Sequence, residues 1–265
     1  CRTRRVPHIH NEKRTLMARY FIYLSYDGSN YHGWQIQPNA ATVQETLEKA
    51  LTLLMRHPVE ITGAGRTDTG VNASTMVAHA DFPGDIDCKQ TVYRLNRMLP
   101  PDIAIHSIKA VTETAHARFD ALSRRYRYHI STAKNPFTRR YSCRVTGELD
   151  FEAMNSAAAT LPEYTDFTSF SKLHTDTKTN NCKVTKAHWV QTSESEWYFE
   201  IEADRFLRNM VRAIVGTLLM VGRGKISVEG FREIIEKKQR SEAGDSALAQ
   251  ALFLEEVKYP ENIFL

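Results

Sequence analysis

Residues 63–70 read Gly-Ala-Gly-Arg-Thr-Asp-Thr-Gly, which sets Arg66 two residues from Asp68 in a glycine-punctuated turn between two strand-like segments. Glycine permits positive φ and close backbone approach, so such a turn can press main chain and a short carboxylate against a ligand. A carboxylate there can attack an electrophilic carbon or remove a proton. The guanidinium beside it supplies a planar cation for a phosphate, or for keeping a neighbouring carboxylate ionised. The same residues also fit a plain tight turn whose Asp accepts hydrogen bonds from its own backbone. The rest of the chain has to decide between the two.

The charge is segregated. The formal net charge is +4. Residues 1–16 carry Arg2, Arg4, Arg5, Lys13 and Arg14 against Glu12 alone, which leaves the remaining chain neutral. Within that neutral body, residues 205–228 hold Arg205, Arg208, Arg212, Arg223 and Lys225 with no carboxylate. Residues 124–144 alternate Arg124, Arg125, Arg127, Lys134, Arg139, Arg140 and Arg144 with Tyr126, Tyr128, Phe137 and Tyr141, again without an acid. Phosphates need cations and unpaired bases need flat faces, so the interleaving points to a nucleic acid. The plainer reading of either stretch is a solvated strand face with ordinary packing tyrosines.

Other chemistries find little support. At 265 residues, 42% hydrophobic and 25% charged, the composition is that of a globular protein. The longest apolar candidate, residues 206–221, is broken by Arg208, Asn209, Arg212 and Gly216, which suits a buried helix and not a membrane span. Cys1, Cys88, Cys143 and Cys182 have no paired spacing, and the ten histidines, with His8 and His10 in a polar tail, form no metal-binding motif. A reducing cytoplasm is the expected compartment. No phosphate-binding Gly-Lys-Ser or dinucleotide fingerprint occurs, so no cofactor is expected.

The elements that must position Asp68 follow from periodicity. Residues 1–16 read as a basic leader, either an upstream extension or a flexible arm. Strands are expected at 19–27, 59–64, 74–82 and 103–111, with helices at 42–55, opened by a Thr42 and Glu45 capping box, and at 87–98. That order is β-α-β-β-α-β, the ferredoxin-like arrangement, over residues 17–115. Residues 116–265 repeat it with insertions: strands at 122–131, 184–192, 197–204 and 252–259, and helices at 150–161, 206–221 and 228–238. The expected fold is therefore α+β, two ferredoxin-like halves related by duplication, with their sheets joined around a basic cleft. Residues 174–183 read as a long surface loop over it, and Asp176 within that loop as a surface acid.

Several ordered motifs resemble one family. The TruA-type tRNA pseudouridine synthases are matched at Tyr26-Asp27-Gly28, Gly33-Trp34-Gln35, Gly65-Arg66-Thr67-Asp68-Thr69-Gly70-Val71, Ala117-Arg118-Phe119, Arg124-Arg125-Tyr126-Arg127-Tyr128, Asp166-Phe167-Thr168-Ser169-Phe170 and Met210-Val211-Arg212. The resemblance implies an isomerase that converts uridine to pseudouridine in the anticodon stem-loop, at tRNA positions 38–40, as a homodimer and without a cofactor. It implies Asp68 as the catalytic carboxylate, whether nucleophile or base, and Arg212 as its ion-pair partner. It implies Tyr126 as the ring that stacks on the target base and Arg66 as the residue that holds the nucleotide extruded. Arg124, Arg125 and Arg127 are then expected at phosphates. Where many members carry a histidine after this turn, this chain has Asn72. Two rivals stay open on residues alone: an RNA-binding protein without chemistry, and a hydrolase that releases the free base.

Overall fold

The computed structural model describes residues 17–172 and 178–265. The leader, Cys1, His8, His10 and Asp176 lie outside the described residues. The described residues form a mixed α+β structure in which five α-helices accompany one nine-stranded mixed sheet. Its first part runs β1 (Met17–Tyr26), α1 (Val43–Met55), β2 (Ile61–Gly63), β3 (Asn72–Pro83), α2 (Cys88–Met98) and β4 (Ile103–Val111). Its second part runs β5 (Ser123–Ser131), β6 (Cys143–Arg144), α3 (Phe151–Ala158), β7 (Val184–Gln191), β8 (Glu196–Ala203), α4 (Met210–Gly222), α5 (Val228–Lys237) and β9 (Leu252–Lys258). Across the sheet the order is β4-β1-β3-β9-β5-β8-β7, with β2 on β3 and β6 on β5.

The two parts meet at β3 and β9, which pair in parallel through only Asn72 with Phe253 and Ala73 with Leu254. All other long strand pairs are antiparallel. Alternation along a strand sends successive side chains to opposite faces. On β8, Phe199, Ile201 and Ala203 are fully buried while Glu200 and Glu202 point the other way. On β5, Tyr126, Tyr128 and Ile130 share the buried face and Arg125 and Arg127 the opposite one. The second part therefore has a face covered by α3 and α4 and a face carrying charge.

Three expectations need correction. The capping box forms only in its forward direction: Thr42 Oγ1 accepts from the Glu45 N–H at 3.3 Å, while the Glu45 carboxylate turns to Lys49 Nζ at 2.6 Å. The amides of Val43 and Gln44 are bonded instead to the carbonyls of Gly33 and Trp34, so backbone does the capping. Helix α4 starts at Met210, not at 206, because Asn209 adopts a left-handed conformation, φ 67°, which asparagine tolerates better than most residues. Expected residues 150–161 split into α3 and a 3-10 turn at Leu161–Glu163. Among the described residues no helix is long and apolar enough to cross a membrane.

Candidate active site

The turn that carries Asp68 links β2 to β3, and the segment after β1 brackets it. Trp34 N–H donates to Thr67 O at 3.3 Å and Gly70 N–H to Tyr31 O at 3.3 Å, while Tyr26 and Thr67 share a hydroxyl bond of 2.8 Å. Gly33, at φ +87°, comes so close that a Cβ would meet Thr67 O at 2.3 Å, and a Cβ on Gly28 would meet Val71 O at 2.1 Å. Both motif glycines therefore exist for backbone contact with the turn. Within the turn only Gly70, φ +75°, needs glycine's conformational freedom. Gly63 leaves room for the Trp34 indole, which a Cβ would strike at 2.5 Å.

Asn72 locks the far end. Its Oδ1 accepts from Gly28 N–H at 2.8 Å and its Nδ2 donates to Gln250 O at 2.8 Å, so one buried amide ties the bracket to the segment before β9. Both of its polar ends are satisfied across the junction of the two parts, a connection that residue type alone does not announce.

Asp68 projects from this turn toward the start of α4. Arg208 Nε lies 3.5 Å from Oδ1 and Arg212 Nη1 3.6 Å from Oδ2. These are ion-pair distances, longer than good hydrogen bonds. The early left-handed residue explains the geometry. Arg208 sits before the helix and Arg212 on its first turn, so two cations and the positive end of the helix face one carboxylate. The two arginines differ in freedom. Arg212 Nε donates to Ala247 O at 2.6 Å and its side chain is 21% exposed, whereas the Arg208 side chain is 56% exposed. The sequence marks Arg208 only as one cation of an acid-free stretch and gives no sign that it pairs with Asp68.

Tyr126 lies beneath, with Phe206 edge-on to its ring at 5.1 Å and 87°. It is 9% exposed, and burial pushes its phenol up to about 12, so the ring is a neutral surface at physiological pH. Arg66 is exposed at the tip of the turn. These residues bring together a carboxylate and two arginines, with the nearly buried Tyr126 close enough to sense the Asp68 carboxylate and Arg66 exposed on the same turn.

Comparison with known proteins shows the family of the chain. A sequence model described as tRNA pseudouridine synthase matches residues 22–120 and 157–260. The chain belongs to the tRNA pseudouridine synthase family. It is 60% identical over 250 residues to tRNA pseudouridine synthase A of Bacteroides thetaiotaomicron, covering 94% of this chain and 93% of the relative. It is 56% identical to the protein of that name from Porphyromonas gingivalis, over 94% and 100%, and 42% identical to that from Acetivibrio thermocellus, over 90% and 98%. The matched ranges contain Arg66, Asp68, Arg208 and Arg212, and leave Tyr126 between them.

In this member of the family the remaining arginines sit elsewhere. Arg124 donates to the carbonyls of Ala121, Asp204, Ala64 and Arg118, clamping the turn's approach to the second part of the chain. Arg125 and Arg127 are on the opposite face of the sheet from Tyr126. There they meet Glu200 Oε2 at 3.3 and 2.8 Å, with Lys186 Nζ on Oε1 at 2.7 Å. The expected loop is described only from residue 178. Its last residues are held to the body by Cys182 N–H to Thr165 O and Phe167 N–H to Asn180 O.

Proposed function

We propose that this member of the family isomerises uridine to pseudouridine in tRNA, in the anticodon stem-loop, with Asp68 as the catalytic carboxylate. The observation that carries the reading is Asp68 between Arg208 and Arg212 on a turn braced from both parts of the chain. The reaction breaks the N1 to C1′ bond, turns the base and joins C5 to C1′, with mass conserved. Asp68 serves either as nucleophile toward the sugar or as base, with two arginines at ion-pair distance from its oxygens. The uridine must leave the RNA stack to reach it. Tyr126 forms the floor under the extruded base, Arg66 holds the nucleotide out, and Arg212, fixed by Ala247, keeps the carboxylate oriented. Arg124 then acts as a positioning residue for the turn, and Arg125 and Arg127 as structural partners of Glu200, leaving phosphate contacts to the exposed arginines of the cleft.

The fold reading goes with this. The orders β4-β1-β3-β2 and β9-β5-β8-β7 place corresponding strands in the same sequence, which supports two ferredoxin-like units, residues 17–115 and 116–265, related by duplication. A homodimer acting in the cytoplasm is the form the resemblance implies. The test is incubation of the purified protein with an unmodified tRNA transcript, followed by pseudouridine mapping and assay of free uracil. Pseudouridine in the anticodon arm without uracil release is expected. Uracil release would make the protein a hydrolase, and binding without any product would make it an RNA-binding protein.

A further inference from the structure

Phe119 is 74% exposed, yet the chain around it is held by a set of hydrogen bonds. His116 Nδ1 accepts from the N–H groups of both Arg118 and Phe119, at 3.1 and 3.3 Å. The turn is closed by His116 N–H on Asp120 Oδ2 at 2.7 Å and Asp120 N–H on His116 O at 3.0 Å. Ala117 is pinned at both ends, its N–H on His79 Nδ1 at 3.1 Å and its carbonyl under the Tyr259 hydroxyl at 2.6 Å. The Phe119 ring rests against the His116 ring, centroids 4.3 Å apart at 35°, and the Arg118 guanidinium carbon lies 5.8 Å from its centroid.

Exposing a large aromatic is unfavourable, and fixing its backbone removes the freedom it would use to hide. A preorganised ring beside a cation suits a ligand that combines a flat apolar face with a negative charge. Its location names the ligand. Arg124 Nη2 donates to both Arg118 O and Ala64 O, so the residue before Phe119 and the residue two before Arg66 share one nitrogen. The turn that carries Phe119 is therefore tied to the same guanidinium as the segment that leads into the Asp68 turn. We propose that Phe119 stacks on an unpaired nucleobase of the RNA substrate next to the extruded uridine, with Arg118 on the adjoining phosphate. The inference rests on the proposed function and adds a second base-binding position to it. Stacking on an aromatic tolerates any base, so the position supplies affinity for the opened strand and little sequence preference.

The test uses the full-length protein and an unmodified tRNA transcript. Phe119→Leu keeps the apolar volume and removes the flat face. It raises KM about tenfold, the order of one lost base–aromatic contact, with kcat within about twofold and unchanged thermal melting. Phe119→Trp holds KM near wild type, and its added emission, read against wild-type background, is quenched as the transcript saturates the protein. A Phe119→Leu KM equal to wild type, or F119W emission indifferent to RNA, overturns the stacking role. A KM loss accompanied by a changed oligomeric state in sedimentation overturns it as well, in favour of a contact between copies. If wild type makes no pseudouridine, the functional reading itself fails, and F119W quenching by RNA still decides whether the ring binds a base.

Discussion

Two carboxylates in this protein are each surrounded by arginines, and they are held in opposite ways. Glu200 is 3% exposed and gathers Lys186, Arg127 and Arg125 at 2.7, 2.8 and 3.3 Å. Asp68 is 24% exposed and faces Arg208 and Arg212 at 3.5 and 3.6 Å. Burial alone would raise the Glu200 carboxyl, but hydrogen bonds from Lys186 and Arg127 hold it down at about 2. Both carboxylate oxygens there are engaged by cations. The cations around Asp68 stand beyond close hydrogen-bond distance, which leaves its oxygens open to a reacting partner. Composition cannot tell these environments apart; distance and exposure can.

The contrast can be broken from either side. Asp68→Asn is expected to lower kcat on a tRNA transcript by at least about 10^3-fold, as loss of a nucleophile or base does, with melting unchanged because no buried charge is orphaned. Next in size is Arg212→Ala, expected to lower kcat by about 10^2-fold, since the carboxylate loses the partner that Ala247 fixes in place. At the second carboxylate the effect moves to stability. Glu200→Gln takes the carboxylate from Lys186 and Arg127, while Arg125 keeps Glu256 at 3.1 Å, and should cost about 3 kcal/mol in denaturant unfolding, with kcat of the folded enzyme within a few-fold of wild type.

That glutamate also sets a sign for acid. Its folded pKa, about 2, lies below its ordinary value of 4.5, so its stabilisation is fully present above pH ~4.5 and is lost as pH falls toward about 2. Wild type should lose stability across that window more steeply than Glu200→Gln in acid titrations monitored by circular dichroism. The smallest change is expected at Arg208→Ala, about three- to tenfold in kcat/KM, because an arginine with a 56% exposed side chain is already shared with solvent. A loss at Arg208 equal to that at Arg212 would erase the distinction between a fixed and a movable partner.

Much of this was legible before any coordinates. The alternating and amphipathic segments recovered β1, α1, β3, α2, β4 and the later elements to within a few residues, since their burial follows periods of two and 3.6. The turn at Asp68 alone also fitted a plain structural turn, and it was the ordered set of motifs along the chain that singled it out. What stayed hidden was relational. Arg124 and Arg125 are neighbours in sequence on opposite faces of one strand, and only the pairing of β5 with β8 and β9 decides what each meets. The run of cations in residues 124–144 therefore looked uniform when its members have different tasks. The capping of α1 by Gly33 and Trp34 carbonyls, and the Asn72 bridge to Gln250, are contacts between distant segments that no local pattern encodes. Arg208 was missed because a helix was expected from residue 206, and the left-handed Asn209 moves it beside Asp68.

The most direct measurement is pseudouridine formation in one unmodified tRNA transcript by wild type, Asp68→Asn and Glu200→Gln, with the melting temperature of each protein taken from the same preparation. The account predicts that Asp68→Asn melts like wild type and makes no detectable pseudouridine, while Glu200→Gln melts lower and still turns over. Pseudouridine production by a folded Asp68→Asn protein would contradict it.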